Sequence, residues 1–234
     1  MRMHSKWLVV TLSLLLVYCS VAAGTLPVIH KQDFDGTDVG GLPSDWTLLN
    51  FHKSPDEPQV IEAPAELTRD GRVLYIGRTS GSPNITGHAN YSFEPVNERL
   101  QLVFDMWNTT TIRNLRVCLG GTAGTAGQIH NALAKTAIFL SMTGGQVVAL
   151  KDAKANEWTE VGQYTPGRWH TIMLDIDIKA QVFNVYLDGS TTPENAAPIS
   201  FYTENHDLNT IAFAYQHAAN TDPVYIDNVI IRGK

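Results

Sequence analysis

The sequence predicts an all-β chain folded as an antiparallel two-sheet β-sandwich. Three observations predict it. Short runs rich in β-branched and aromatic residues recur: RVLYIGR, RLQLVFDMW, NLRVCLG, KTAIFLSM, QVVALKD, WHTIMLDIDI, QVFNVYLDG, TIAFAYQH and VYIDNVIIR. Gly, Pro, Asn or Asp punctuates most gaps between them, the spacing expected of a sandwich or barrel. Several runs alternate with period two. In RLQLVFDMW, Leu100, Leu102, Phe104 and Met106 share one face, and Gln101, Val103, Asp105 and Trp107 share the other. Helix signals are nearly absent. The one modest candidate, HNALAKTA from His130 to Ala137, lacks a clear cap.

The N-terminus reads as a targeting segment. Arg2, His4 and Lys6 give a basic start, WLVVTLSLLLVY an apolar stretch, and Val21 and Ala23 suit the −3 and −1 positions of a cleavage site. Residues 1–23 are expected to be a signal peptide, removed on secretion to an extracellular or periplasmic compartment. The apolar stretch is shorter than the ~20 residues of a membrane-spanning helix. Tyr18 before Cys19 is too bulky for a lipoprotein site. The remaining residues 24–234 suit one large all-β domain. Only Cys118 is left in it, so no intramolecular disulfide is expected, and a domain of this size can rely on its hydrophobic core. The formal net charge of −6 is spread along the chain without a basic block, which argues against a nucleic-acid partner. No second apolar stretch is long enough to span a membrane.

Residues 50–70, with three prolines and many charges, are expected to form a long surface loop. GGTAGTAG, Gly120 to Gly127, reads as a flexible connection. Asn-X-Ser/Thr sequons begin at Asn84, Asn90 and Asn108. Between Gly167 and Gly189, WHTIMLDID and VFNVYLDG read as adjacent antiparallel strands joined by the short turn KAQ. Asp188-Gly189 forms a second turn, where Gly tolerates positive φ. Trp169 is expected to pack at the core or its rim, and His170 to hold a strand edge by hydrogen bonding.

GRWHTIMLDID…FNVYLDG resembles the G-x-W-H … V-Y-x-D-G signature of concanavalin A-like, laminin G-like jelly-roll domains. PVYIDNVIIR resembles the last strand of many secreted carbohydrate-active sandwiches, and QDFDGTDVGGLPSDW resembles their opening. This fold hosts lectins, binding modules, hydrolases and lyases, so the resemblance implies a carbohydrate context without fixing a function. In such modules the first and last strands pair, and a structural calcium often joins them. That implies Asp35 and Asp227 as ligands of one Ca²⁺, which takes six to eight oxygens. The alternative is that Asp227 satisfies backbone donors near the terminus.

The paired carboxylates of retaining glucanases, E-x-D-x-x-E or E-x-D-x-E on one strand, are missing; Asp175 and Asp177 share a face without the Glu. Gln128-Ile129-His130 resembles the Q-(I/V)-H strand of alginate lyases of this fold. That likeness implies Gln128 and His130 as neutralisers of a uronate carboxylate, with Tyr215 moving protons and His130 taking part in catalysis. The other two lyase signature strands are absent from the chain. For plain binding, one sheet face is expected to form a groove lined by Trp107, Arg116, Gln128, His130 and His217. Trp107 would stack on a sugar and Arg116 would pair with a uronate or sulfate. An outward Trp107 is also open to being covered by the 50–70 loop. The sequence thus predicts first a module binding extracellular polysaccharide, then a polysaccharide lyase acting on uronate polymers by β-elimination, and third a protein-binding adhesion module.

Overall fold

The computed structural model describes residues 25–49, 56–77, 85–108, 115–122, 136–143, 145–152, 157–216 and 222–234. The expected signal peptide lies outside the described residues. In chain order the strands are β1 (Val28–Gln32), β2 (Trp46–Leu49), β3 (Gln59–Glu62), β4 (Arg72–Ile76), β5 (Ile85–Val96), β6 (Arg99–Asn108), β7 (Leu115–Gly120) and β8 (Thr136–Thr143). They continue with β9 (Gln146–Asp152), β10 (Glu157–Gln163), β11 (Trp169–Asp177), β12 (Val182–Leu187), β13 (Ile199–Ser200), β14 (Leu208–Gln216) and β15 (Val224–Gly233). A single 3-10 turn, Ala65–Leu67, is the one helical element among the described residues.

Two sheets result. The first runs β13-β12-β11-β6-β15-β4-β3, with β1 also pairing β15; the second runs β10-β9-β8-β7-β14-β5-β2. Antiparallel pairing holds throughout, as in β6 with β11 and β14 with β7. The period-two pattern decides which face is buried. Leu100, Leu102, Phe104 and Met106 of β6 are fully buried, facing Ile211, Phe213 and Tyr215 of β14 and Val117 and Leu119 of β7 in one continuous core. Phe104 meets Phe213 edge-on across the sandwich, their centroids 5.3 Å apart.

The hairpin of β11 and β12 forms as its sequence predicts, with Ile172 opposite Leu187 and Asp177 opposite Val182. Gln181 closes the KAQ turn at φ 57°. Asp188 and Gly189 both take positive φ, and Ser190 N–H donates to the Leu187 carbonyl at 2.9 Å across that turn. His170 ties this end together: its Nδ1 meets Asp188 at 2.9 Å, and its Nε2 lies 2.9 Å from the Thr165 carbonyl. First and last strands pair as expected, β1 along β15.

The stretch 50–70 is not all loop. Within it β3 pairs with β4, Val60 opposite Leu74, and the 3-10 turn follows. Prolines on both sides of QVIE mask a strand that is only four residues long. Thr136 and Ala137, the end of the weak helix candidate, belong to β8; its residues 130–135 lie outside the described residues, as does Gly120–Gly127 beyond Thr122. The sequons at Asn90 and Asn108 sit on buried strand positions. Asn108 Nδ2 donates to the Tyr164 hydroxyl at 2.9 Å, so its amide serves the interior. Asn84 lies outside the described residues.

On the outer face of the first sheet, Asp105 of β6 and Asp227 of β15 stand directly opposite each other. Two like charges at this spacing destabilise a strand pair. Arg69 lies between them, donating from Nη2 to Asp105 at 2.9 Å and from Nη1 to Asp227 at 2.7 Å. Asn228 follows at φ 49° in a bulge of β15, and its side-chain amide also donates to Asp105, at 2.8 Å. Burial pushes the Asp227 carboxyl above its ordinary pKa, more than the Asn228 N–H and Arg69 pull it down. A raised carboxyl pKa favours the protonated folded form, so Asp227 contributes most stability below its unfolded pKa and loses it as pH rises through the folded value. Removing Arg69 leaves both carboxylates uncompensated. Arg69→Ala should cost about 2 kcal/mol at neutral pH, less than breaking a fully buried pair, because the guanidinium is part-exposed and both carboxylates keep other donors. The deficit should shrink on acidification to about pH 4, where carboxylates begin to protonate. Denaturant unfolding at the two pH values checks this; an equal deficit at both would show that the charges are not responsible.

Candidate functional site

Of the residues expected to line one groove, the two that are described, Trp107 and Arg116, do not meet. Trp107 faces outward from the first sheet, and the 3-10 turn covers it: Leu67, Val73, Tyr225 and Trp107 form one buried cluster. Trp107 is 8% exposed, too little for a sugar platform. Trp169, its partner across β6 and β11, donates from Nε1 to the Leu67 carbonyl at 2.9 Å and carries the Arg69 guanidinium 3.8 Å above its ring. It is a rim packing residue, as its sequence context suggests. Arg116 sits on β7 in the other sheet, on the outward parity beside Cys118, with its guanidinium 4.8 Å from the Phe139 ring. Trp107 and Arg116 therefore open onto opposite faces of the sandwich. Tyr215 is fully buried between the sheets, because its strand position shares the inward parity of Ile211 and Phe213. It cannot reach a polymer on either outer face. Gln128, His130 and His217 lie outside the described residues.

The two carboxylates expected to hold calcium have protein partners. Asp227 is taken by Arg69 and by the Asn228 N–H at 2.7 Å. Asp35 Oδ1 accepts the Arg72 N–H at 2.8 Å, and Gly71 at φ +89° leaves the only room for that carboxylate, since a Cβ there would strike it. Among the described residues no group of three or more His, Cys, Asp or Glu is arranged to hold a metal. A cationic guanidinium on one proposed ligand is the wrong neighbour for Ca²⁺, so these residues do not fit the ion.

A concave site does exist at the open side of the sandwich, where the edge strands β2 and β3 of the two sheets face each other. One hollow of about 330 Å³ is walled by Leu42, Trp46, Leu48 and Pro58, with Glu57 and Gln59 at its polar side. A second, of about 460 Å³, is lined by Asp33, Asp38 and Asp45 together with Gln32, Thr37 and Ser44. Gly41 and Leu42 line both, so the two hollows are adjacent parts of one cleft region. The loop 33–45 builds it. Phe34, fully buried at φ 63°, anchors the loop in the core, and Arg72 pins it by donating to the Thr37 carbonyl at 2.6 Å. Gly40 N–H donates to Val60 O at 2.9 Å and Val60 N–H to Gly41 O at 2.7 Å, which fastens the loop along the free edge of β3. Trp46 at the inner wall stacks on Phe213 at 6.1 Å. Beside it His30 stacks on Tyr91 at 3.8 Å and lies 3.8 Å from Asp45. Burial lowers the His30 pKa against the pull of Asp45. The sequence signal for this site was the QDFDGTDVGGLPSDW opening, read for its fold rather than as a binding loop.

No protein-family profile matches the chain, and no curated protein matches it in sequence. Solved structures do match. A sialidase aligns over 90% of this chain with a TM-score of 0.64 and 12% identity, this chain spanning only 19% of the sialidase. The carbohydrate recognition domain of Emp47p aligns over 91% of this chain and 99% of its own length, with a TM-score of 0.52 and 11% identity. Lectin I-B4 from Griffonia simplicifolia aligns over 86% of this chain and 98% of its own, with a TM-score of 0.51 and 12% identity. The fold is the concanavalin A-like lectin and glucanase sandwich. Identities this low establish the shared fold alone. No described helix is long and apolar enough to cross a membrane.

Among the described residues the one free thiol, that of Cys118, lies on the outer face of the second sheet. Cys118 packs with Phe139, Leu150, Tyr202 and Ala212, and burial pushes its thiol up to about 12. A thiol reagent should therefore leave native protein unlabelled and label it fully once unfolded. Rapid labelling of the native state would contradict this packing.

Proposed function

We propose that the chain is a secreted carbohydrate-binding module whose sugar site is the cleft between β2 and β3. The carrying observation is the composition of that cleft. A wall of Leu42, Trp46 and Leu48 stands beside carboxylates, amides and hydroxyls from Asp33, Asp38, Asp45, Glu57, Gln32, Gln59 and Ser44. Sugars present C–H surface and hydroxyls together, and a site that binds them needs both kinds of wall. The apolar N-terminal stretch supports secretion. The lectin and the carbohydrate recognition domain among the similar structures support the substrate class by analogy of fold. The lyase reading loses its proton-moving tyrosine, since Tyr215 is enclosed by the core.

The mature protein on a glycan array should retain at least one polysaccharide or oligosaccharide. Gln59→Ala should weaken retention about fivefold, the worth of one hydrogen bond of about 1 kcal/mol, with the melting temperature unchanged. Incubation with uronate polymers should give no unsaturated product in the ultraviolet. Retention of no glycan at all would sink the binding reading, and an unsaturated product would restore the lyase.

A further inference from the structure

The 64–69 turn covers the outer face of the first sheet around Trp107 and Asp105, and the next two rows of outward residues lie beyond it. Strand pairing sets these rows. Lys31, Ile230, Val103, Met173 and Tyr186 stand opposite one another across β1, β15, β6, β11 and β12. Lys31 is exposed and the other four are partly exposed, so the row is apolar with a cation at one end. Two residues along on the last four strands run Arg232, Gln101, Asp175 and Asn184, all partly exposed. Val28, opposite Arg232, is 59% exposed. At about 4.8 Å between strands, the five strands carry these rows over about 19 Å.

Most charge on this face is matched within the protein. Asp175 accepts from Arg99 twice, from Nε at 3.2 Å and from Nη2 at 2.6 Å. Asp105 and Asp227 share Arg69. Asp177, farther along β11, accepts the Ala180 N–H at 2.9 Å. Lys31 and Arg232 differ. Every Asp and Glu of the chain lies among the described residues, and among these residues no carboxylate pairs with either cation. The β1–β15 end of the rows thus presents two unpaired cations on one face of adjacent strands. The formal net charge of −6 repels a polyanion from the chain as a whole, so such a ligand is drawn to a local cationic site.

We infer that this part of the outer face binds an acidic polysaccharide. Lys31 and Arg232 pair with its carboxylate or sulfate groups, and the row from Ile230 to Tyr186 takes the C–H faces of its sugars. The inference rests on these two rows and not on the cleft between β2 and β3. The Arg232 guanidinium suits the paired oxygens of a carboxylate or sulfate. Gln101 beside it offers an amide to sugar hydroxyls. An acidic peptide fits less well. The rows lie on the face of a sheet whose central strands are already paired on both sides, so a peptide finds no strand edge there to extend. An apolar row beside a polar one meets both kinds of surface that a sugar presents.

Retention of the mature protein on four immobilised polymers tests this: dextran sulfate, polygalacturonate, uncharged dextran and polyglutamate. The first two separate sulfate from carboxylate as the group recognised. At least one of them should retain the protein at low salt and release it as salt is raised, because these cations are accessible to solvent. Uncharged dextran and polyglutamate should not retain it. Lys31→Gln combined with Arg232→Gln should lower retention about tenfold, and Lys31→Gln alone, at an exposed position, about threefold. Tyr186→Ala, which changes no charge, should lower it about threefold. Melting temperatures of the Lys31→Gln and Tyr186→Ala variants should match that of the parent. Retention on neither acidic polysaccharide overturns the inference, as does unchanged retention of the Lys31→Gln and double variants. Equal retention on polyglutamate, or no effect of Tyr186→Ala, would show that charge alone is read and overturn the sugar assignment. Loss of acidic-polymer retention in Gln59→Ala would move the site to the cleft. If the glycans retained on the array are all acidic and all lost in the double variant, the cleft reading fails and this one stands.

Discussion

One guanidinium holds the most contradictory place in the structure. Asp105 and Asp227 face each other on adjacent central strands, and Arg69 is the cation that pairs with both. The consequences spread through the first sheet. Arg69 brings the 64–69 turn down onto the sheet, where Leu67 closes over Trp107 and Trp169. Thr171 donates to Asp105 at 2.7 Å, so β11 joins the same network. β15 bends at Asn228 within it and then continues to meet β1. Four strands and one turn share this arrangement, and the part of the outer face it makes is sealed rather than open for ligands.

The sealing of that face explains where a site can be. With one outer face covered around its centre, an accessible concavity among the described residues lies at the side of the sandwich, where β2 and β3 end their sheets. An edge strand with unpaired backbone groups invites aggregation. Here the loop 33–45 pairs with β3 through Gly40 and Gly41 and so protects it, while its own polar side chains line the cleft. The loop is held from below by Phe34 in the core and from the side by Arg72 and Asp35 against Gly71. Rigid attachment at three points gives an exposed loop the fixed geometry a binding site needs.

Local pattern carried the architecture of the sheets. The alternation in β6 and the β11–β12 hairpin with its turn at Asp188-Gly189 were readable, because strand faces and turn residues are short-range properties, whereas the pairing of first and last strands came from the resemblance to jelly-roll modules. The site was less readable. Trp107 has the outward parity its strand implies, yet whether an outward tryptophan is bare depends on a turn that joins it from forty residues earlier. Tyr215 was misplaced for the opposite reason. Its alternation with Phe213 already marked the inward face, and the lyase motif was read without that parity.

The sequence by itself determined the fold class, the strand faces and the hairpin turns, since these follow from periodicity and from residues that accept positive φ. Only the tertiary structure decided that Trp107 and Arg116 belong to different sheets, that Asp227 is spent on Arg69, and that Asp33, Asp38 and Asp45 line one hollow with Glu57 in the hollow beside it. Strand order is set by which sheet each hairpin joins, a long-range choice that no local window of sequence contains.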